Sequence, residues 1–311
     1  MRKPKKLNKG DTIGIVAPAS SFDIDSFKLG IKKLRSLGYK VKYERNIFSK
    51  YWSKSGYDKK RAEQINRMFF DKNVKAILCA KAGYGSVDII PYLDESIIRE
   101  NPKIFVGYSD ITALLLYLQK ISQMVVFHGP VVSGEIYEGM SSLTLDYLLH
   151  VITKNVPLGD LSFPDLKAIR DGIGSGLLVG GNMSLIADTL NTYHEIDANN
   201  NILFLEDVDE DLESIIKSLK MIKGVGNFKK LKGIVFGKMT NCFNNMAEEK
   251  IAKEKISELF NGLDISIPIL YGFPSGHIAK RGESRVTLPL GLPVTVNSEK
   301  LTVTIEESAV S

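Results

Sequence analysis

The sequence predicts an α/β protein, with a helix-covered parallel sheet in its first half and a second half richer in strands. Three observations carry that expectation. Up to Gly129-Pro130, short apolar runs of strand length alternate with segments whose apolar residues repeat at helical spacing. The strand-like runs are almost continuously apolar, as befits strands buried on both faces. Beyond that point the composition shifts. From Arg285 to Glu306 the chain reads as strands broken by Pro289, Gly291, Pro293 and Asn297-Ser298.

Taken in order, Thr12–Ala17 forms the first predicted strand. Phe27, Ile31, Leu34 and Leu37 then share one helix face, which Gly38 terminates. Tyr39–Tyr43 is a second strand, and Asp58–Phe70 a helix with Ala62, Ile65, Met68 and Phe69 turned inward. Val74–Cys79 is the third strand, Val87–Leu93 a short helix and Ile104–Gly107 the fourth strand. Ile111, Leu114, Leu115 and Leu118 mark the following helix, and Met124–Phe127 a fifth strand. Ser142–Ile152 reads as a helix followed by a Pro/Gly/Asp-rich stretch. These signals place an N-terminal α/β domain at 1–135, a connection at 136–175 and a C-terminal β-rich domain at 176–311. The last contains strands at Gly176–Val179, Ile202–Leu205 and Ile234–Phe236. Its helices pass through Leu212, Ile215, Ile216 and Leu219, and over Ala247–Leu259.

Composition narrows the functional classes. Hydrophobic residues at 44% and charged residues at 25% are ordinary for a globular protein of 311 residues. Much of the net charge of +5 sits in Arg2, Lys3, Lys5, Lys6 and Lys9, with no basic stripe interleaved with aromatics, so nucleic acid is not an expected partner. No basic amphipathic helix points to a membrane surface, and the apolar run at Ala113–Leu118 is too short to span one. Leu7–Thr12 interrupts the apolar residues after the basic start, so no leader peptide is expected. Cys79 and Cys242 lack metal-ligand spacing and read as free thiols in a reducing compartment, which makes the expectation cytoplasmic.

The residues suited to chemistry follow strand ends. Ser109, in Gly107-Tyr108-Ser109-Asp110, stands between a buried strand and an amphipathic helix. That is the setting of a nucleophile elbow, although Ile111 takes the place of the second glycine of G-x-S-x-G. A helix N-cap is the alternative reading. In Lys81-Ala82-Gly83-Tyr84-Gly85, Asp88 replaces the third glycine of a dinucleotide fingerprint. The loop suits either an oxyanion hole or a plain tight turn. Among the four histidines, His277 lies in a Gly/Pro-bounded loop, but His128 also stands at a strand end, and spacing alone does not choose between them. His150 and His194 read as structural or solvated. Glu206 ends the Ile202–Leu205 strand, placed either to hold an imidazole or to open a helix; Leu212 and Ser218 rule out an EF-hand. No His/Glu cluster has zinc spacing, so no metal is expected.

Several of these stretches together resemble the LD-carboxypeptidase family, the muramoyl-tetrapeptide carboxypeptidases. They are Gly10–Ser20, Ser55–Asp58 with Arg61-Ala62, Ala82–Ser86, Gly107–Ala113, Gly180–Ser184, Leu205–Asp207 and Gly276-His277, in the same order along the chain. The resemblance implies a flavodoxin-like N-terminal domain with a smaller β-rich C-terminal one. It also implies a serine peptidase whose Ser-His-Glu triad lies at the interface of the two domains, falling here on Ser109, His277 and Glu206. The backbone N–H groups of Gly83 and Asp110 would form the oxyanion hole. The implied substrate is a murein tetrapeptide losing its terminal D-alanine, the implied state a homodimer, and no cofactor is called for. Relatives commonly carry Arg-Gly-Gly where this chain has Lys81-Ala82-Gly83. A related branch hydrolyses peptidyl-nucleotide antibiotics of the microcin C type, for which Tyr51 and Trp52 are the aromatics available to stack on adenine. A non-catalytic two-lobed binding protein is the other alternative. Arg61 and Asn182 are candidates to touch substrate, or else a helix-face charge and a turn residue.

Overall fold

The computed structural model describes every residue except 138, 226–229, 262–266 and 281, together with the side chain at 225. Its elements in chain order are β1 (Thr12–Val16), α1 (Ile24–Ser36), β2 (Lys40–Lys42), α2 (Asp58–Phe70), β3 (Val74–Cys79), α3 (Glu95–Glu100), β4 (Ile104–Gly107), α4 (Thr112–Ser122), β5 (Val126–His128) and α5 (Ser142–Thr153). Then come β6 (Gly159–Leu161), β7 (Lys167–Arg170), β8 (Ile173–Asn182), α6 (Met183–Asp188), β9 (Ile202–Val208), α7 (Leu212–Val225), β10 (Gly233–Thr240), α8 (Met246–Phe260) and β11 (Ile269–Tyr271). Strands β12 (Leu288–Leu290), β13 (Pro293–Asn297) and β14 (Thr302–Ile305) complete the set.

Two compact units form. The first comprises Met1–Asn155, Val286–Pro289 and Ala309–Ser311; the second comprises Val156–Arg285 and Leu290–Ser308. They divide at Asn155–Val156, inside the 136–175 stretch read from the sequence as a connection.

In the first unit the sheet order is β12-β5-β4-β3-β1-β2, with β1 to β5 parallel throughout. The 2-1-3-4-5 order is that of flavodoxin, and it reverses between β1 and β3, where such sheets bind ligands beyond the strands' carboxyl ends. Helix α2 shows why the residues fold this way. Its buried face carries Ala62, Ile65, Met68 and Phe69, four residues at helical spacing. Phe69 stacks on Phe105 of β4, with centroids 6.1 Å apart. Met68 reaches β1 at Gly14, where a Cβ would come within 2.9 Å of its sulfur. Burial of a side chain such as Phe69 stabilises the unit by about 1.5–3 kcal/mol.

The second unit holds a mixed sheet, β6-β14-β13-β8-β9-β10-β11-β7. Strands β8, β9, β10 and β11 run parallel, and the outer strands on both sides are antiparallel. The carboxyl ends of β9, β10 and β11 therefore lie side by side, and they carry the candidate residues of this unit.

Candidate active site

In the first unit, Ser109 opens the helical turn that leads from β4 into α4, with Tyr108 extended before it. Its φ is +60°, a left-handed value that a non-glycine residue adopts rarely and at a cost. Gly107 explains how a chain lacking the second elbow glycine makes this turn. A Cβ at Gly107 would come within 2.7 Å of Ile111 Cγ2 and 3.1 Å of Cys79 Sγ, so Ile111 fills space that the first glycine leaves open.

Asp110 is buried, and its side chain holds the glycine loop after β3. Its carboxylate accepts the N–H groups of Gly85 at 3.2 Å and Ser86 at 2.9 Å, while its carbonyl accepts the Ser86 hydroxyl. Burial raises its pKa; hydrogen bonds from Ser86 and Gly85 and the nearby Arg61 charge oppose that rise. Asp110 is also the second residue of a helical turn, where backbone N–H groups find no intrahelical carbonyl. Gly83 has φ +117°, and a Cβ there would lie 2.4 Å from Ser20 Oγ. Ser20 Oγ accepts the N–H of Tyr84 at 3.0 Å. With Tyr84, Gly85 and Ser86 thus committed, the Gly83 N–H makes no hydrogen bond among the described residues.

Arg61, a candidate to touch substrate, is fully buried and built into this loop instead. Its Nη1 donates to the carbonyls of Gly85 and Pro18, and its Nη2 pairs with Asp58 at 2.5 Å. His128 is buried at the end of β5 with its ring edge-to-face against Tyr108.

In the second unit, Glu206 is completely buried near the carboxyl end of β9. One carboxylate oxygen, Oε2, accepts the backbone N–H of His277 at 3.0 Å and meets His277 Nδ1 at 2.7 Å. A buried carboxylate beside Nδ1 assigns the proton of the neutral ring to Nδ1 and leaves Nε2 as the acceptor. The loop after β11 is shaped for this contact. Gly276 has φ +109°, and a Cβ there would lie 2.5 Å from Glu206 Oε2. Lys238 N–H donates to Ser275 O at 2.9 Å, Thr240 Oγ1 to His277 O at 2.7 Å and Arg285 Nη1 to Gly276 O at 3.3 Å. The structure therefore brings Glu206 and His277 together in the second unit. It ties the Gly83 loop to Asp110, next to Ser109, in the first.

Sequence reasoning passed over Asp207. This buried side chain accepts from Asn182 Nδ2 at 2.9 Å and from Ser184 Oγ at 2.7 Å, while Asn182 caps α6 through Leu185 N–H. Burial raises the Asp207 pKa, and the Ser184, Val208 and Asn182 bonds oppose the rise. Asn182 is thus a cap and a brace for the strand end that carries Glu206. Among the described residues, no group of three or more His, Cys, Asp or Glu side chains is placed to hold a metal ion. None of the described helices is long and apolar enough to cross a membrane.

A doubly wound lobe with a strained strand-to-helix serine, and a second lobe carrying a carboxylate–imidazole pair, describe a two-domain peptidase. Residues 13–129 match the LD-carboxypeptidase N-terminal domain and residues 175–296 the LD-carboxypeptidase C-terminal domain; the chain belongs to the LD-carboxypeptidase family. A protein of Bacillus subtilis described as a probable murein peptide carboxypeptidase is 34% identical over 98% of this chain and 94% of its own length. The murein tetrapeptide carboxypeptidase of Pseudomonas aeruginosa is 26% identical over 86% of this chain and 88% of its own. Among solved structures, an MccF-like protein from Bacillus anthracis superposes with a TM-score of 0.88 at 30% identity, covering 99% of this chain and 100% of that one.

Proposed function

We propose that the chain is a serine LD-carboxypeptidase that removes the terminal D-alanine from murein tetrapeptides. The observation that carries this reading is the buried Glu206 carboxylate bonded to His277 Nδ1 in a chain similar to murein peptide carboxypeptidases. Ser109 is the nucleophile, consistent with its left-handed strand-to-helix turn. His277 Nε2 takes the hydroxyl proton as Ser109 Oγ attacks the carbonyl before D-alanine. The Gly83 and Asp110 N–H groups stabilise the oxyanion, and Glu206 stabilises the imidazolium. Collapse breaks the C–N bond, and His277 returns the proton to the departing amine. Water, deprotonated by His277, then releases the peptide from Ser109. None of these steps calls for a cofactor. Two buried free thiols are compatible with a cytoplasmic protein that recycles wall fragments, and a homodimer is the state we propose from the family resemblance.

Mass spectrometry of a murein tetrapeptide incubated with wild type and with Ser109→Ala tests the reading. Loss of one alanine with the wild type alone is expected, with kcat falling on the order of 10⁶-fold in the variant. Near-normal turnover by Ser109→Ala would reject Ser109 as nucleophile. No loss with a folded wild type would reject the substrate.

A further inference from the structure

Strand β10 loses its even register where it passes the Glu206 carboxylate. It pairs Phe236 with Leu205 and Met239 with Asp207 of β9, so Gly237 and Lys238 together stand opposite one residue, Glu206. An extra residue of this kind is a β-bulge, which frees an N–H from the ladder and re-aims a side chain. Both effects are visible at Lys238. Its N–H donates to Ser275 O at 2.9 Å, two positions before His277. Its ammonium reaches Glu283 Oε1 at 2.8 Å, six positions after His277. One residue of β10 thus grips the histidine loop on both sides of the imidazole. Gly237 admits the loop to this grip, because a Cβ there would lie 2.6 Å from Ser275 O and 2.8 Å from Phe204 Cε2.

Glu283 is more than the far end of an ion pair. Its other oxygen, Oε2, accepts the N–H groups of Ala279 at 3.0 Å and Lys280 at 3.4 Å, and its own N–H donates to Lys280 O at 3.1 Å. The chain leaving His277 is therefore folded back on this carboxylate. Burial pushes the Glu283 carboxyl up, but the Lys238 ammonium and the two backbone N–H groups prevail and hold it below the ordinary glutamate value. Each side chain of the pair is 27% exposed, so solvent screens it less than a surface pair. The hydrolytic steps give neither group a proton to carry. What they do require is an imidazole held in angle as well as in place, since a misplacement of about 1 Å is costly. Glu206 and Thr240 fix the His277 peptide itself, and the grip of Lys238 anchors the chain before and after it.

We propose that Lys238 and Glu283 are positioning residues: the bulge opposite Glu206 and the ion pair it aims hold the His277 loop from both sides, so that the imidazole keeps its contact with Glu206. This inference rests on the LD-carboxypeptidase reading and adds two residues to its machinery.

Lys238→Met removes the charge and keeps the stem, while Glu283→Gln keeps an oxygen for the Ala279 N–H and removes the ion pair. Each should lower kcat for D-alanine release from a murein tetrapeptide about ten-fold with KM unchanged. The double variant should fall no further than either single one, because each alone already opens the clamp. Lys238→Arg still reaches the carboxylate and should retain most of the rate. In both single variants the His277 Nδ1–H proton resonance should broaden or move toward that of a free imidazole. Glu283→Gln alone carries the same test if Lys238→Met does not fold. A loss of kcat with an unmoved Nδ1–H resonance, a rise in KM alone, or a double variant showing the product of the two single effects would each overturn the proposal, the second in favour of a substrate contact. The resonance is read without substrate, so the clamp is tested even with a wild type that releases no D-alanine, an outcome that rejects the carboxypeptidase reading instead.

Discussion

Gly276→Ala tests how the second unit brings a carboxylate to its histidine. The added methyl would lie 2.5 Å from Glu206 Oε2 and 2.8 Å from its Cβ and Cγ, at a residue whose φ is +109°. The backbone conformation costs an L-residue about 1–2 kcal/mol. Overpacking adds about 1–3 kcal/mol, because the methyl meets a side chain that is itself completely buried. If the loop holds, the variant loses about 2–5 kcal/mol of stability, and thermal unfolding reads this as a Tm lower by several degrees. If the loop yields, Gly276 and His277 move off Glu206, the Nδ1 contact lengthens from 2.7 Å, and a displacement of about 1 Å lowers kcat on the order of 10²-fold. Calorimetry, D-alanine release and the proton resonance of the His277 Nδ1–H separate the two outcomes. A Gly276→Ala protein with unchanged Tm, turnover and imidazole resonance would refute the claim that the glycine exists to admit the carboxylate.

Glu206→Gln keeps the shape but removes the charge that favours imidazolium, so kcat should fall by about 10³–10⁴ with little change in KM, as measured by steady-state release of D-alanine. Gly83→Ala drives a methyl to 2.4 Å from Ser20 Oγ and should lower kcat on the order of 10²–10³-fold. Adding Ser20→Gly relieves the clash and should recover part of the loss in the same assay. Lys103, buried before β4 with Nζ donating to the carbonyls of Met68 and Asp71, has its pKa lowered to about 8 by burial. A folded-state pKa below the unfolded value of 10.5 means that the unfolded chain binds more protons in between. Wild-type stability should therefore gain about 1–2 kcal/mol as pH rises from 8 to 10.5, and lose it again as pH falls through 8. Urea unfolding across that range should show this gain in the wild type, and the Lys103→Met difference should remove it.

Long, strongly periodic segments were the most legible in the sequence. Strand Val74–Cys79 and helix Asp58–Phe70 have the bounds the residues predicted, because an apolar run and a helical stripe are each closed by turn-forming neighbours. Strands β6, β7 and β11 were not anticipated; three or four residues are too few to establish a period, and long-range pairing forms them. The expected fifth strand, Met124–Phe127, lies two residues further on at its start and takes in His128. At the candidate site, local signals placed Glu206 at a strand end and His277 in a Gly/Pro-bounded loop, without choosing between His277 and His128. The contact that pairs them spans 71 positions, and no spacing rule reaches so far. Arg61 was misread for a related reason. A charged residue on a helix reads as solvated, and its burial follows from carbonyls of Pro18 and Gly85 supplied by two distant loops. The left-handed backbone of Ser109 and Trp52 left no compositional trace, since neither is glycine or asparagine.

The first unit is assembled from three separate stretches of chain, and this has a consequence for biosynthesis. Its sheet takes in β12, and its N-terminal segment is held by Ser311, which accepts from Lys6 N–H at 3.0 Å and donates to Pro4 O at 2.9 Å. At about 5–20 residues per second, a ribosome that has finished Asn155 needs on the order of ten seconds to deliver Leu288. During that interval β5 is an unpaired apolar edge, open to other nascent chains. The lobe bearing Ser109 is thus completed only after most of the second unit has been made, so a fragment stopping at Asn155 would yield an aggregation-prone product rather than half an enzyme.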